Sequence, residues 1–155
     1  MHRLRWLILS LLVIAADQAT KLWVLAALQP REVIPVVPAF NLTLVFNEGA
    51  AFSFLAGAGG WQRWFFVGVA VAVSTVLIVW LWRLKPEERL TAAGLSLVAG
   101  GAVGNLIDRL AYGRVVDFLD FYWRAWHWPA FNVADSAITV GVGLLLLEAF
   151  LPKRG

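Results

Sequence analysis

The sequence predicts an all-α membrane protein that crosses the bilayer four times, with its 155 residues in one domain. Hydrophobic residues make up 61% of the chain and charged residues 15%, against averages of roughly 45–50% and 25% in soluble domains. Both deviations indicate that lipid is the solvent for most of the surface. The apolar residues also fall in four long stretches, and tryptophans mark the ends of those stretches.

The four stretches are each close to the roughly 20 helical residues that a bilayer core requires. They are Trp6–Leu28, Trp64–Trp82, Leu90–Leu110 and Val133–Leu151. Proline and clusters of charge separate them, as expected for the ends of helices. The first could be mistaken for a cleaved signal peptide, but its apolar run continues past Asp17 with no small-x-small site before it, so we expect an uncleaved span.

The distribution of tryptophan and basic residues predicts the orientation. Trp6, Trp80 and Trp82 lie on one side, and Trp61, Trp64, Trp123, Trp126 and Trp128 lie on the other, in the manner of interfacial aromatic belts. Seven of the 13 basic residues lie in short segments on the side of the termini: Arg3, Arg5, Arg83, Lys85, Arg89, Lys153 and Arg154. The positive-inside rule therefore places both termini in the cytoplasm and residues 29–63 and 111–132 outside it.

Composition excludes several kinds of site. The chain has no cysteine, so disulfides and Cys-based metal or redox sites are excluded. His2 and His127 stand at opposite ends of the sequence, and we expect no metal site. The net charge is +3, but the basic residues are scattered, and we expect no nucleic-acid partner.

Carboxylates are concentrated toward the outer face. Seven of the ten acids fall within or beyond the outer half of the membrane: Asp17, Glu32, Glu48, Asp108, Asp117, Asp120 and Asp135. We interpret Glu32 and Glu48 as solvated loop charges. Asp17 lies roughly 16 Å along the helix from Trp6, near the midplane, where a charge costs about 2.5–3.5 kcal/mol. Lys21 shares its helix face, so the two residues either neutralise each other within the bundle or support a site from below.

The third span combines small and polar residues. Gly100 and Gly104 form a small-xxx-small pattern that allows close helix approach. Asn105 and either Asp108 or Arg109 share a face, which we expect to line the bundle interior or a wet cavity.

Two further segments contain aspartates at the outer surface. Residues 113–121 are β-branched and aromatic and predict a strand or extended loop, in which Asp117 and Asp120 lie on opposite faces. Asp135 begins the fourth span, three residues after Asn132, where the helix dipole alone favours an acid.

With no cysteine and no Ser–Lys pair evident, carboxylates are the groups left for hydrolysis. Two carboxylates near contact share a proton, so that one activates water while the other donates to a substrate carbonyl. Residue chemistry leaves four candidates for the pair: Asp108, Asp117, Asp120 and Asp135.

Five motifs then resemble, in order, those of the lipoprotein signal peptidase (signal peptidase II) family. They are DQATK at 17–21, NEGAAFS at 47–53, GGAVGNLIDR at 100–109, GRVVDF at 113–118 and FNVADS at 131–136. The resemblance covers nearly the whole chain, including its length and four spans. Any one motif is weak, whereas five in order are specific.

The resemblance implies an aspartic endopeptidase of the bacterial inner membrane, with an outer β-cradle and interfacial helix formed by residues 30–60. It would cleave prolipoproteins just before a diacylglyceryl-modified cysteine, without cofactor, as a monomer among membrane lipids. The implied catalytic residues are Asp117 and Asp135. The implied substrate-binding residues are Asn47, Gly49, Asn105, Arg109 and Asn132, and the supporting residues are Asp17, Lys21, Gly104 and Asp108.

Two other functions compete with this hypothesis. A small proton- or ion-coupled transporter would use midplane Asp17 and Lys21 as the centre of its mechanism, but the halves of the chain show no similarity to each other. A non-enzymatic scaffold would use the GxxxG helix only to assemble partners, and would tolerate changes at Asp117 and Asp135.

Overall fold

Four helices long and apolar enough to cross a membrane dominate the protein. The structure is a computed structural model and describes residues 2–49 and 61–151. The helices are α1 (His2–Ala27), α2 (Trp61–Arg83), α3 (Arg89–Tyr112) and α4 (Val133–Phe150). Each overlaps one of the predicted apolar stretches. The predicted fold class, a helical membrane protein with a small sheet, is confirmed.

Four strands form an antiparallel sheet at one end of the helices, in the order β1-β2-β3-β4. Their bounds are Val33–Val37, Phe40–Asn47, Val115–Trp123 and Trp126–His127. Residues 113–121, predicted as a strand or extended loop, overlap strand β3. The predicted interfacial helix falls mainly on residues 50–60, which lie outside the described residues.

Helix α3 is the centre of the bundle, because it packs against each of the other three helices. In the most apolar 18-residue stretch of α3, 56% of the residues are buried, whereas the share in α2 is 11%. Glycine permits this packing. A Cβ on Gly100 would lie 2.8 Å from the Ser10 carbonyl oxygen of α1, and one on Gly141 of α4 would lie 2.7 Å from the Gly94 carbonyl oxygen. The predicted close helix approach at the small-residue pattern is therefore confirmed.

The sheet packs on the C-terminal end of α1 through a small apolar core. Val24 and Leu28 of α1 contact Leu44 of β2 and Val116 and Phe118 of β3. Helix α3 reaches the same place directly, because Gly113 has the left-handed conformation (φ 75°) that ends a helix and turns the chain. Only two residues separate α3 from β3, so polar side chains of both elements lie close together.

A β-bulge in β2 changes which of its residues lie on the same face of the sheet as Asp117 of β3. Leu42 pairs with Leu119 and Val45 pairs with Asp117, so β2 contains one extra residue between the two pairs. Because side chains alternate along a strand, the extra residue moves Val45 and Asn47 to the face of Asp117. The bulge thus aims the Asn47 side chain at the candidate site.

Candidate active site

Asn132 connects two neighbouring aspartates, Asp117 on β3 and Asp135 in the first turn of α4. Its Nδ2 donates to Asp117 Oδ1 at 2.7 Å, and its Oδ1 accepts from the Asp135 backbone N–H at 2.9 Å. The second contact is a helix N-cap, for which asparagine is a preferred residue. Asn132 is fully buried, so this bridge is shielded from water. Asn132 therefore caps the N-terminus of α4 and also links Asp117 to Asp135.

Asp117 is enclosed and hydrogen-bonded on both oxygens. Asn132 donates to Oδ1, and Asn47 Nδ2 donates to Oδ2 at 3.0 Å. Burial raises the pKa of the Asp117 carboxyl from 3.8 to about 6, and the neighbouring Asp135 raises it further in the same direction, against the two amide hydrogen bonds. At neutral pH this carboxyl is therefore far easier to protonate than an ordinary aspartate.

Asp135 is more open than Asp117. Its Oδ1 accepts from Asn105 Nδ2 at 2.8 Å, and no described residue donates to its Oδ2. The side chain is half-buried, whereas Asp117 is 1% exposed. One carboxylate oxygen of the pair is thus available to water or to a bound molecule.

The side chains that donate hydrogen bonds to this pair are neutral amides, and no cation is in contact with it among the described residues. Within the described residues, no Lys or Arg nitrogen lies within 4.0 Å of either carboxylate. Amide N–H groups stabilise a carboxylate without cancelling its charge, so the two acids still repel each other when both are ionised. Such a pair favours sharing one proton, which is the state required for acid–base hydrolysis.

A second cluster of acids lies beneath the first and has the opposite character. Lys21 Nζ lies 2.8 Å from both Asp17 Oδ2 and Asp108 Oδ2, and none of the three side chains is more than 2% exposed. The spacing of Asp17 and Lys21 predicted their contact, but it did not predict Asp108 as a second partner. Lys21 also donates to Asn105 Oδ1 at 2.9 Å, which connects this cluster to the amides around Asp135.

The buried cluster also binds the backbone next to each upper aspartate. Asp17 Oδ1 accepts from the Ala134 N–H at 2.9 Å, and Asp108 Oδ2 accepts from the Val116 N–H at 3.0 Å. Ala134 immediately precedes Asp135 in the chain, and Val116 immediately precedes Asp117. Each buried acid therefore positions the peptide unit that carries one member of the pair.

Gln18 is a member of the buried cluster that was not among the predicted site residues. Its Nε2 lies 2.9 Å from Asp108 Oδ1, 3.2 Å from Asp17 Oδ2 and 3.2 Å from the Gly104 carbonyl oxygen. The signal was present in the sequence, since an amide in the middle of a span needs a polar partner. Gly104 leaves the space for this contact, because a Cβ there would lie 2.6 Å from Asp17 Oδ2.

Gly49 and Arg109 lie at the edge of the site. The Gly49 N–H donates to Asn47 Oδ1 at 2.8 Å, which turns the Asn47 amide nitrogen toward Asp117. Gly49 has a φ of +99°, a conformation that favours glycine. Arg109 Nη1 donates to the Asn105 carbonyl at 3.2 Å, and its guanidinium lies 5.4 Å from the centre of the Phe66 ring. It does not contact either carboxylate of the pair.

Asp120 belongs to a separate group, as predicted for a residue on the opposite face of the strand from Asp117. It accepts from Asn41 Nδ2 at 2.8 Å and lies 2.9 Å from His127 Nδ1. These contacts crosslink β3 to its two neighbouring strands. Within the described residues, no group of three His, Cys, Asp or Glu side chains is arranged to hold a metal ion.

Comparisons with known proteins give a consistent result. The sequence model of a family described as signal peptidase (SPase) II matches residues 9–151. A lipoprotein signal peptidase of Shewanella loihica is 59% identical over 153 residues, covering 97% of this chain and 89% of that protein. One from Yersinia pestis is 51% identical over 148 residues, covering 96% and 88%.

A solved structure also matches over most of the chain. It is described as a bacterial membrane enzyme determined by the in meso method at 1.9 Å resolution. The TM-score is 0.84 at 29% identity, and the match covers 94% of this chain and 92% of that one. A second bacterial membrane enzyme, determined at 2.3 Å, has the same TM-score at 27% identity.

Proposed function

The chain belongs to the signal peptidase II family, and we propose that it is an aspartic endopeptidase acting on diacylglyceryl-modified prolipoproteins. Cleavage would fall just before the lipidated cysteine and release the signal peptide. The observation that carries the proposal is the pair Asp117 and Asp135, which Asn132 joins. Among the described residues, the side chains that donate to the two carboxylates are neutral amides.

The proposed reaction uses one shared proton. The ionised aspartate removes a proton from water, and the resulting nucleophile attacks the scissile carbonyl carbon. The protonated aspartate donates to the carbonyl oxygen. When the tetrahedral intermediate collapses, the C–N bond breaks, and the departing nitrogen takes up the proton that the first aspartate removed from water. The other aspartate recovers its proton from the oxygen as the carbonyl re-forms. The open Oδ2 of Asp135 is the point at which water can approach the pair.

The remaining polar residues have proposed roles in binding and positioning. Asn47, Gly49, Asn105, Arg109 and Asn132 would line the substrate site. Among the described residues, Arg109 donates only to its own helix and lies over Phe66, so we propose that its other N–H groups bind a substrate carbonyl. Asp17, Lys21, Gly104 and Asp108 would support the site from below, and the contacts of Asp17 and Asp108 to the backbone favour this role.

A membrane interface suits this substrate, whose acyl chains lie in lipid while its scissile bond must meet water. We propose the bacterial inner membrane, with both termini cytoplasmic, the dyad at the outer face and the protein acting as a monomer. The exposed Trp123, Trp126 and Trp128 at the sheet end support an interfacial position, because tryptophan is enriched there.

The two competing functions fit less well. For a transporter, Asp17 and Lys21 would need access to a wet pathway, yet they are 0% and 1% exposed, and Lys21 pairs with both Asp17 and Asp108. A scaffold would not require two carboxylates to be kept close together without a cation.

A direct test is to incubate the purified protein with a diacylglyceryl-modified prolipoprotein and to follow release of the signal peptide by mass spectrometry. We expect one cut, immediately before the modified cysteine. The same precursor without lipid is the matched control and should remain intact. Cleavage elsewhere, or equal cleavage of both precursors, would contradict the proposed specificity.

A further inference from the structure

Two arginines that the proposed reaction does not use flank the turn where α3 ends. Arg63, at the start of α2, donates from Nη2 to the Leu110 carbonyl oxygen at 2.7 Å. Its Nη1 would lie 3.7 Å from a Cβ placed on Gly113. Arg114 follows Gly113 directly, and its guanidinium carbon lies 3.7 Å from the centre of the Phe46 ring. Two positive charges thus lie at one turn at the sheet end of the bundle.

Both guanidiniums contain N–H donors without acceptors. The Nε of Arg63 and the Nε of Arg114 are each buried and have no hydrogen-bond partner. Arg114 donates no hydrogen bond to any described residue, and its described interaction is the ring contact. A buried donor left without an acceptor costs about 1–3 kcal/mol. The arrangement therefore favours an external acceptor.

Local charge indicates that this acceptor is an anion. No carboxylate of the described residues lies within 4.0 Å of either guanidinium. The C-terminal carbonyls of α3 offer only partial negative charge, and Arg63 already donates to one of them. Guanidinium groups bind phosphate oxygens through paired N–H donors, more specifically than a lysine can.

The surroundings of the two arginines match the position of a lipid headgroup. Arg63 begins an apolar span that ends at Arg83. Trp61 and Trp64, beside it, are 51% and 63% exposed, as residues at the headgroup level are. Further along the same helix, Phe65 and Val69 are also exposed and would meet acyl chains.

We propose that Arg63 and Arg114 bind the phosphate of one glycerophospholipid from the leaflet at the sheet end, with its acyl chains along α2. The site is separate from Asp117 and Asp135 and does not depend on the proposed peptidase activity. The plainer explanation, in which Arg63 only caps α3, leaves the buried Nε of Arg114 without an acceptor among the described residues.

The test is a lipid titration of the purified, delipidated protein in neutral detergent, with binding followed by native mass spectrometry. The probes are dioleoylphosphatidylglycerol, dioleoylglycerol with the same chains but no phosphate, and inorganic phosphate. We expect one phosphatidylglycerol to bind per protein, and Arg63→Gln and Arg114→Gln each to weaken that binding roughly tenfold. Arg124→Gln removes the same charge from the exposed turn between β3 and β4 and should leave binding unchanged.

Each other outcome overturns the proposal. Equal affinity for dioleoylglycerol would mean that the phosphate is not recognised, and equal affinity for inorganic phosphate would replace the lipid by a free ion. Unchanged binding in both glutamine variants would exclude the two arginines. If either glutamine variant fails to fold, Arg114→Lys, which keeps the charge without the planar donors, should weaken binding measurably, and the comparison of lipids on the unaltered protein stands alone.

Discussion

Two neighbouring clusters of acids among the described residues differ in how their charge is balanced. In the lower cluster, Lys21 lies 2.8 Å from each of two carboxylates, Asp17 and Asp108. In the upper cluster, the side chains of the described residues that donate to Asp117 and Asp135 are all amides. Asn105 belongs to both, because it accepts from Lys21 and donates to Asp135.

The difference separates a structural role from a chemical one. A buried carboxylate beside a cation remains ionised and fixed, and it can bind backbone N–H groups as Asp17 and Asp108 do. A carboxylate pair without a cation is unstable when both members are ionised, and so it can exchange a proton. The protein places the second kind of cluster directly on the first.

The largest expected effect is on the upper cluster. Asp117→Asn or Asp135→Asn should lower the rate of prolipoprotein cleavage by about 10³-fold or more, because the reaction then lacks its acid or its base. Helix content should be preserved, and the free energy of unfolding should not fall. Asp120→Asn is the matched control on the other face of β3 and should keep most activity. Near-normal turnover by either dyad variant would remove that residue from the reaction.

Substitutions in the lower cluster should lower the free energy of unfolding. Lys21→Met leaves two buried carboxylates without a cation, and loss of one partner of a buried ion pair costs about 3–5 kcal/mol. Denaturant unfolding in detergent micelles measures the loss. Adding Asp108→Asn to Lys21→Met should recover part of the stability. A Lys21→Met protein as stable as the unaltered one would mean that the cluster does not need its cation.

The next prediction concerns the pH dependence of stability, to which Asp117 of the upper cluster contributes. Because the pKa of Asp117 is about 6 in the folded protein, against 3.8 for an ordinary aspartate, the folded state is favoured by protonation. This contribution is fully present below about pH 4 and is lost as the pH rises to about 6 and above, and it amounts to about 3 kcal/mol. Asp117→Asn should therefore flatten the decline of unfolding free energy across that window.

Activity should follow the same titration. Loss of the proton shared by Asp117 and Asp135 should lower kcat/KM for the prolipoprotein above about pH 6, with an apparent pKa that belongs to the pair. A kcat/KM that rises steadily from pH 5 to pH 8 would contradict a shared proton in the active form.

The smallest expected effect tests how tightly the lower cluster is packed. Gly104→Ala would place a Cβ 2.6 Å from Asp17 Oδ2, and overpacking of this kind costs about 1–3 kcal/mol. Gly68→Ala on α2 is the control, because nothing lies within 4 Å of its added Cβ. We expect the melting temperature to fall for Gly104→Ala and to stay level or rise for Gly68→Ala. Equal melting temperatures would show that the lower cluster can relax.

Features that depend on near neighbours in the chain were predicted from the sequence. Hydropathy and interfacial tryptophans predicted the four spans, and β-branched residues predicted β3. The periods of strand and helix predicted the opposite faces of Asp117 and Asp120 and the contact of Asp17 with Lys21. Residue chemistry left four aspartates as candidates, and only the family motifs reduced them to Asp117 and Asp135.

Contacts between distant segments required the tertiary structure. The spacing of residues along α1 contains no information about Asp108, which reaches Lys21 only because glycines bring α3 close to α1. Likewise, simple alternation along β2 cannot show that a bulge turns Asn47 toward Asp117. The sequence by itself determined the elements and the reactive groups, since those follow from local periodicity and composition. The tertiary structure decided which acids contact a cation and which are hydrogen-bonded by amides, because charge balance depends on packing between helices.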